Sequence, residues 1–174
     1  MNLSILHWLV ACLFSFGTQE GGLLNWNTVD DRVMGGESFS KAVATKSSMR
    51  WEGMMSLESN GGFVSVRSPW ERGQLRDMSK VTMRARGSRG TYALRLATSG
   101  VYYEPVHQMR FEVDEVDWKT MTWSLEEFET TVLGSPTGAR FNVSEVQNVG
   151  RVGLMKNDGS PGAFWLEVDF IRFE

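Results

Sequence analysis

Two short segments, residues 29–38 and residues 56–67, carry charged and amide side chains beside a pair of adjacent glycines. We call them the first and the second glycine segment. Glycine adopts positive φ and lets another backbone approach closely, so both are predicted to be shaped loops or bulges. The candidate residues for binding a partner or ligand are Asp30, Asp31, Arg32, Met34, Gly35, Gly36, Asn60, Gly61, Gly62, Phe63 and Arg67.

Asp30, Asp31 and Arg32 form the densest cluster of charge in the first glycine segment. In one interpretation an aspartate hydrogen-bonds a ligand hydroxyl or a partner's amides, while Arg32 offers a planar fork to a carboxylate. In the other, one aspartate accepts amide protons of its own loop in an Asx turn and Arg32 pairs with the second aspartate. The sequence leaves both interpretations open.

Asn60-Gly61, in the second glycine segment, is typical of a hairpin turn, because this pair favours the left-handed conformations of a type I′ turn. The alternative is that Asn60 hydrogen-bonds to the first glycine segment, Phe63 enters the core and Arg67 projects from the solvated face of a sheet. The two glycine segments would then form one hydrogen-bonded unit.

Four arginines, Arg67, Arg84, Arg86 and Arg95, fall at outward positions of predicted strands. They either line one sheet face as a basic patch that attracts acidic protein segments, or belong to an ordinary solvated face.

Aromatic side chains beside predicted turns offer another surface. Trp70 follows Pro69, and Tyr102-Tyr103 follows the turn at Ser99-Gly100. Aromatic rings that stack on sugars, together with polar groups that reach hydroxyls, are how a β-sandwich module binds carbohydrate. Carbohydrate binding is therefore one function to consider, as an alternative to binding a protein partner.

Composition argues against several functional classes. The 174 residues include 18 Lys+Arg and 21 Asp+Glu, a net charge of −3 without a long basic run, so no nucleic-acid partner is predicted. One Cys and two His leave no ligand set for a zinc or redox motif, and no metal or other cofactor is predicted. Because no phosphate loop, nucleophile motif or marked pair of carboxylates is found, we predict that the protein is not an enzyme.

The hydrophobic pattern indicates an all-β fold. Apolar and polar residues alternate with a period of two over residues 81–86, 92–97, 109–114 and 164–170. Turn-forming residues separate these segments, and Gly87-Ser88-Arg89-Gly90 is interpreted as a hairpin turn. Short helical turns are expected over 123–128 and 142–147. We predict a single β-sandwich domain of two antiparallel sheets over residues 13–174.

Residues 1–12 form an apolar segment that lacks a basic residue. They are interpreted as a signal or lipoprotein leader, with Cys12 as the lipidated residue. In the competing interpretation, residues 13–16 are the first strand of the domain. A leader predicts an exported or lipid-anchored protein with membrane association through the N-terminus, and its absence predicts an intracellular protein.

The glycine segments also carry a family resemblance. They read VDDRVMGG, followed by Ser38, and SLESNGGFVSVR, and in both the chain resembles the complex I intermediate-associated protein 30 family. Weaker similarity continues through residues 87–92, 118–128 and 162–168. The resemblance implies a galactose-binding-like jelly-roll β-sandwich, and a non-catalytic, chaperone-like role in assembling respiratory NADH dehydrogenase, which is mitochondrial in eukaryotic relatives.

We therefore expect a protein-binding assembly factor for respiratory complex I or a related membrane complex, whose partners are protein subunits or assembly intermediates. A carbohydrate-binding module on the same fold is the alternative, because a β-sandwich hosts unrelated functions.

Overall fold

The structure is a computed structural model and describes residues 12–16, 25–114 and 117–174. In chain order the strands are β1 (Cys12–Ser15), β2 (Asn27–Thr28), β3 (Phe39–Ala44), β4 (Met49–Met55), β5 (Val64–Arg67), β6 (Lys80–Gly87), β7 (Gly90–Ala97), β8 (Val106–Val113), β9 (Lys119–Ser124), β10 (Glu129–Val132), β11 (Ser135–Arg140), β12 (Arg151–Lys156) and β13 (Gly162–Phe173). Short 3₁₀ helices lie at Asp31–Met34, Glu58–Asn60, Leu125–Glu127 and Val143–Asn148. None of the helices in these ranges is long and apolar enough to cross a bilayer.

The strands form two antiparallel sheets that pack face to face. Sheet A has six strands in the order β3-β4-β13-β6-β9, with β1 added beside β13. Sheet B has seven strands in the order β11-β10-β8-β7-β12-β5-β2. The predicted all-β sandwich of two antiparallel sheets is confirmed.

The core lies between the sheets and is built by the predicted alternation. In β7, Tyr92, Leu94 and Leu96 are buried, whereas Arg95 projects from the outer face of sheet B. Trp51 of β4 is fully buried, and its ring meets the Tyr92 ring edge-on with centroids 6.3 Å apart. The alternating residues project from the outer face of each sheet.

The segment from Gly87 to Gly90 is not a hairpin turn, which corrects the sequence prediction. It connects β6 of sheet A to β7 of sheet B. The Ser88 N–H donates to the Trp165 carbonyl at 2.8 Å, which extends the pairing of sheet A, while Gly90 pairs with Val113 of sheet B. The local turn composition is that of a hairpin, but the flanking strands pair with other strands.

Both predicted helical turns are confirmed. Ser124 and Glu127 form a capping box around the helix Leu125–Glu127, with the Ser124 N–H donating to Glu127 Oε2 at 2.7 Å. Asn142 caps the helix Val143–Asn148 by accepting the Ser144 N–H at 3.1 Å.

Strand β1 (Cys12–Ser15) overlaps the first strand that the competing interpretation of the N-terminal sequence placed at residues 13–16. It pairs with Phe170–Phe173 of β13, and the following residue, Phe16, is fully buried. The rings of Phe14 and Phe16 meet Trp26 edge-on, with centroids 5.7 and 5.1 Å from it. Apart from Cys12, the predicted leader lies outside the described residues, and both the leader and the single domain over residues 13–174 stay predictions.

Removing residues 1–16 is expected to lower the free energy of unfolding by about 2–4 kcal/mol, because the packing of Phe14 and Phe16 on Trp26 is lost. Removing only residues 1–11 keeps β1 and is the matched control. Urea denaturation of the two truncated chains measures the difference. Equal stability would show that β1 contributes nothing to the sandwich.

Candidate functional site

The Asp31 carboxylate is fully buried and joins the two glycine segments. Its Oδ1 accepts the Ser38 N–H at 2.9 Å, and its Oδ2 accepts the Ser38 hydroxyl at 2.5 Å. Oδ2 also accepts the backbone N–H groups of Gly62 at 2.6 Å and Phe63 at 3.3 Å. The Asp31 N–H donates back to the Phe63 carbonyl at 3.1 Å. One side chain therefore fixes both loops relative to each other.

The hydrogen bonds keep Asp31 ionised. Burial raises the pKa of Asp31, but the hydrogen bonds from Ser38, Gly62 and Phe63 outweigh burial and hold the pKa below its ordinary value of 3.8. Because the folded-state pKa is lowered, the stability that Asp31 contributes is complete above the ordinary value and is lost as the pH falls through the lowered one.

Glycine is required beside this carboxylate because no side chain fits there. A Cβ on Gly36 would lie 2.3 Å from Asp31 Oδ1, and a Cβ on Gly61 would lie 2.7 Å from Oδ2. The other glycine of each pair supplies the turn, since Gly35 has φ +91° and Gly62 has φ +131°. In each pair, one glycine therefore allows contact with Asp31 and the other allows the reversal of the chain.

Asp30 forms a second, shallower connection. Its carboxylate accepts the Ser40 N–H and the Ser40 hydroxyl, each at 2.7 Å. Val29 and Ser65 exchange backbone hydrogen bonds of 2.9 and 3.1 Å beside it. Burial raises the pKa of Asp30, against the lowering effect of the Ser40 hydrogen bonds, and the charge of Asp31 raises it further. The Asp30 carboxylate thus fastens the first glycine segment to β3.

These contacts support the structural interpretation of the charged cluster in part. Both aspartates hold the protein's own backbone, as the structural interpretation predicted, but they reach Ser38, Ser40 and the second glycine segment rather than forming a local Asx turn. Arg32 is exposed and forms no ion pair with either aspartate in the described structure, so the predicted pairing is wrong. The role of these residues in binding a partner stays a prediction.

The second glycine segment departs from the sequence predictions in three ways. It joins β4 of sheet A to β5 of sheet B and is therefore not a hairpin. Asn60 is exposed with φ +58°, and the amides of Gly62 and Phe63, rather than the Asn60 side chain, connect it to the first segment. Phe63 is half-buried and lies outside the core. Backbone amides satisfy a buried carboxylate here, and residue type does not reveal that contact.

Several large apolar side chains near the two glycine segments are exposed to solvent. We call them the apolar edge: Val33, Met34, Phe39, Met54 and Leu57. Val33 and Met34 are 70% and 69% exposed although they lie only two and three residues after the fully buried Asp31. Phe39 follows Ser38, whose side chain points inward to Asp31, so the strand alternation turns Phe39 outward.

The other members of the apolar edge, Met54 and Leu57, lie on β4 and shortly after its end. Met54 of β4 is the register partner of Phe39 on β3. Leu57 follows Ser56, whose N–H donates to Ser38 Oγ at 3.0 Å. Strand pairing thus holds Met54 beside Phe39, and hydrogen bonds around Ser38 hold the backbone next to Leu57.

The predicted four-arginine face does not exist, because the arginines divide between the sheets. Arg84 and Arg86 lie on β6 of sheet A, where they pair with Asp169 and Glu167 at 2.7 Å each. Their guanidinium carbons lie 4.9 and 4.7 Å from the centre of the Trp118 ring. These two charges are neutralised within sheet A.

Arg67 and Arg95 lie together on the outer face of sheet B, where a third arginine joins them. Gly153 of β12 is the register partner of both Arg67 and Arg95, and Arg151 lies two residues before it on the same face. The three arginines line a cavity of about 160 Å³, which we call the arginine pocket. The sequence analysis missed Arg151. The apolar residues Val152 and Leu154, at alternate positions of β12, could have indicated that Arg151 faces outward.

The aromatic predictions have different outcomes. Tyr102 and Tyr103 are 82% and 58% exposed, and Tyr102 lines the arginine pocket. Trp70 is half-buried, with the Arg151 guanidinium carbon 5.3 Å from its ring centre. A Cβ on Gly150 would lie 2.5 Å from Trp70 Cε2, so that ring packs closely on the protein backbone. Trp70 is a packing residue rather than an open stacking platform.

Comparison with known proteins gives a family and a set of related folds. The family model for complex I intermediate-associated protein 30 matches residues 14–168. None of the curated proteins matches the chain. Among solved structures, the family 11 carbohydrate-binding module of the cellulosomal cellulase Lic26A-Cel5E of Clostridium thermocellum is similar, with 18% identity, coverage of 93% of this chain and 94% of that chain, and a TM-score of 0.68.

Two further structures extend this similarity. A family 11 module from Clostridium thermocellum, in complex with a β-1,3-1,4-mixed-linked tetrasaccharide, has 17% identity, coverage of 92% of this chain and 94% of that chain, and a TM-score of 0.64. The agarase AgWH50C has 9% identity and a TM-score of 0.61, and the match covers 94% of this chain but 24% of the agarase. At these identities the similarities show the fold alone.

Asp31→Asn is expected to lower the free energy of unfolding by about 3 kcal/mol or more, because an amide cannot accept all of these hydrogen bonds and would leave buried N–H groups unpaired. Asp77→Asn, at an exposed residue with φ +64° that asparagine tolerates, is the control and should change stability by less than about 0.5 kcal/mol. Urea denaturation measures both. Equal stabilities would contradict a structural role for Asp31.

Gly36→Ala is expected to destabilise the fold by about 2–4 kcal/mol, because the new methyl group collides with the Asp31 carboxylate. Gly100→Ala is the matched control, since a Cβ there meets no atom within 4 Å and should cost less than about 0.5 kcal/mol. Thermal unfolding followed by circular dichroism compares the two. If Gly36→Ala unfolds at the temperature of the Gly100→Ala protein, the close contact with Asp31 is not required.

Proposed function

The chain belongs to the complex I intermediate-associated protein 30 family, and we propose that it is a non-catalytic protein that binds assembly intermediates of respiratory complex I or a related membrane complex. It covers apolar surface of an incompletely assembled subunit until the next subunit arrives. The apolar edge is the binding surface, and the two glycine segments are its support.

The observation that carries this proposal is the exposure of the apolar edge on a rigid backbone. Burying Val33, Met34 or Phe39 in the protein's own core would be favourable, yet these side chains are 70%, 69% and 53% exposed. Clustered exposed apolar residues on a soluble protein mark interaction sites. Because the Asp31 network already orders the backbone, binding would cost less conformational entropy than on a flexible loop.

The groups that could do chemistry are engaged in holding the fold, which supports a binding role. Asp31 is fully buried and its oxygens accept hydrogen bonds from the protein itself, so it has no access to a substrate. His107 is buried, its Nδ1 lies 3.0 Å from the Thr130 hydroxyl, and its ring packs 4.5 Å from that of Phe141. Burial lowers the pKa of His107, which favours a neutral packing residue.

Carbohydrate binding is the second candidate, favoured by one feature of the site. The exposed Tyr102 lines the arginine pocket, the exposed Tyr103 meets its ring edge-on with centroids 5.3 Å apart, and exposed rings stack on sugars. The similar carbohydrate-binding modules support the fold for this candidate and not the ligand. Packing of Trp70 against Gly150 leaves the stacking surface small.

Met34→Asn is expected to reduce the recovery of complex I subunits with the tagged protein from native membranes by about fivefold or more, because a central apolar contact is replaced by a polar one. Leu133→Asn is the matched control: Leu133 is 67% exposed, close to the 69% of Met34, but lies in the turn between β10 and β11. Quantitative mass spectrometry of the co-purified proteins compares the two variants with the unchanged chain.

Two outcomes would contradict the proposal. The first is that complex I subunits do not co-purify with the unchanged protein and that complex I assembles normally in a deletion strain. The second is that a glycan array shows strong binding to one class of sugar that is lost in Tyr102→Ala and kept in Met34→Asn. That pattern would favour the carbohydrate-binding alternative.

A further inference from the structure

The outer face of sheet B carries a row of polar side chains that a glycine interrupts between two arginines. The register places Arg67, Gly153, Arg95, Gln108 and Glu129 side by side on β5, β12, β7, β8 and β10. Arg67 and Arg95 are therefore separated by two strand spacings, about 10 Å, with a glycine between them. Gly153 lines the arginine pocket, and a Cβ there would lie 3.1 Å from the Val66 carbonyl oxygen and 3.5 Å from Arg67 Cγ, so a side chain at this position would compete for the space of the pocket.

The charges of this row are not neutralised within the part of the chain that the structure describes. No ion pair is formed by Arg67, Arg95 or Arg151, in contrast to Arg84 and Arg86 on sheet A. The nearby carboxylates are engaged elsewhere. Glu129 accepts the Gln108 amide at 2.8 Å and lies 3.7 Å from Arg110 Nε, and Asp30 is held by Ser40. The arginine pocket is a basic site on a protein with a net charge of −3.

Hydrogen-bonding capacity in the arginine pocket is also unused. The Nε atoms of Arg95 and Arg151 are buried without a hydrogen-bond partner, and Arg95 Nη1 donates to the Met155 sulfur at 2.9 Å, a weak acceptor. Burial, together with the charges of Arg67 and Arg110, lowers the pKa of Arg95 to about 10. Buried donors normally find acceptors, so these arginines are arranged for an acceptor from outside the chain.

The rim of the arginine pocket restricts the kind of ligand. Val101 and Tyr102, in the loop between β7 and β8, line the mouth and are 39% and 82% exposed. An anion bound here would therefore have apolar or aromatic surface beside it. An acidic side chain within a polypeptide that also carries an aromatic residue fits both features, because guanidinium groups bind carboxylates bidentately and the rings pack together.

We propose that the arginine pocket binds a carboxylate side chain of an acidic segment in the partner polypeptide. The identification of the ligand as polypeptide rests on the proposed function. Arg95 and Arg151 clasp the carboxylate over Gly153, Arg67 closes the site from β5, and Tyr102 contacts the residue next to the acidic one. The partner would then be held at two places, by the apolar edge and by this pocket on the outer face of sheet B.

The test is calorimetric titration at low salt with two blocked pentapeptides, one with glutamates on either side of a tyrosine and one with glutamines there. The glutamate peptide is expected to bind at least tenfold more tightly than the glutamine peptide, with an affinity that falls as salt rises. Inorganic phosphate and glucuronate are titrated in parallel. Equal affinity for the two peptides, or tighter binding of phosphate or glucuronate than of the glutamate peptide, would overturn the proposal.

Arg95→Met is expected to weaken binding of the glutamate peptide at least tenfold while raising or preserving the melting temperature of the free protein, because a buried, unneutralised charge is removed. Arg151→Met provides a second variant with the same expected loss of binding. Arg89→Met is the charge-matched control, because Arg89 lies in the exposed segment before β7, about 20 Å along the strand from Arg95. Unchanged peptide affinity in folded Arg95→Met and Arg151→Met proteins would exclude this site.

Together, the peptide titration and the capture of complex I subunits distinguish failure of the pocket proposal from failure of the proposed function. If complex I subunits co-purify but the glutamate peptide does not bind, the pocket proposal fails and the proposed function stands. If the glutamate peptide binds through Arg95 but no complex I subunit co-purifies, the acidic-segment site stands and the identity of the partner assembly is wrong.

Discussion

A buried carboxylate is costly unless its oxygens are fully hydrogen-bonded, and this requirement shapes the region around Asp31. Four protein donors satisfy it: the N–H and hydroxyl of Ser38 and the amides of Gly62 and Phe63. These donors come from segments on either side of β3 and β4, so the full set of hydrogen bonds to the carboxylate forms only when the whole arrangement is in place. The exposed apolar side chains next to it are held by backbone that cannot move without breaking those bonds.

The two sheets differ in whether the arginines on their outer faces are paired with carboxylates. Sheet A neutralises its outer arginines with Asp169 and Glu167 and stacks them on an aromatic ring. Sheet B leaves Arg95 and Arg151 with unsatisfied donors above a glycine. Buried donors without acceptors cost free energy, and a ligand that supplies acceptors to Arg95 and Arg151 would recover part of it. Proteins sacrifice stability in this way at sites that bind.

Much of the fold follows from local sequence. The alternation in β7 and in the first part of β13 depends on neighbouring residues and predicted their buried faces correctly, and the capping residues Ser124 and Asn142 predicted the two helical turns. The prediction fails at Phe170, because a register shift after Val168 brings Ile171 and Phe173 into the core instead. Which strands pair is a non-local property. The composition of residues 87–90 is that of a hairpin turn, yet the flanking strands enter different sheets.

Non-local contacts also limited what the sequence could predict about the site. The proximity of the two glycine segments could be expected from their unusual composition, but not that backbone amides rather than Asn60 would make the connection. The alternation of apolar and polar residues predicted that Arg84 and Arg95 face outward. It could not predict that they lie on different sheets, because that depends on the pairing of β6 with β13 and of β7 with β12. Arg151 joins the pocket for the same non-local reason.

The central claim is that the Asp31 carboxylate holds the two glycine segments as a rigid support, and native-state hydrogen exchange of the Ser38 and Gly62 amides tests it most directly. The account predicts that both amides exchange only through global unfolding, with the same opening free energy as amides in the core strand β7. Exchange of either amide at the rate of an unprotected loop, while β7 stays protected, would contradict it.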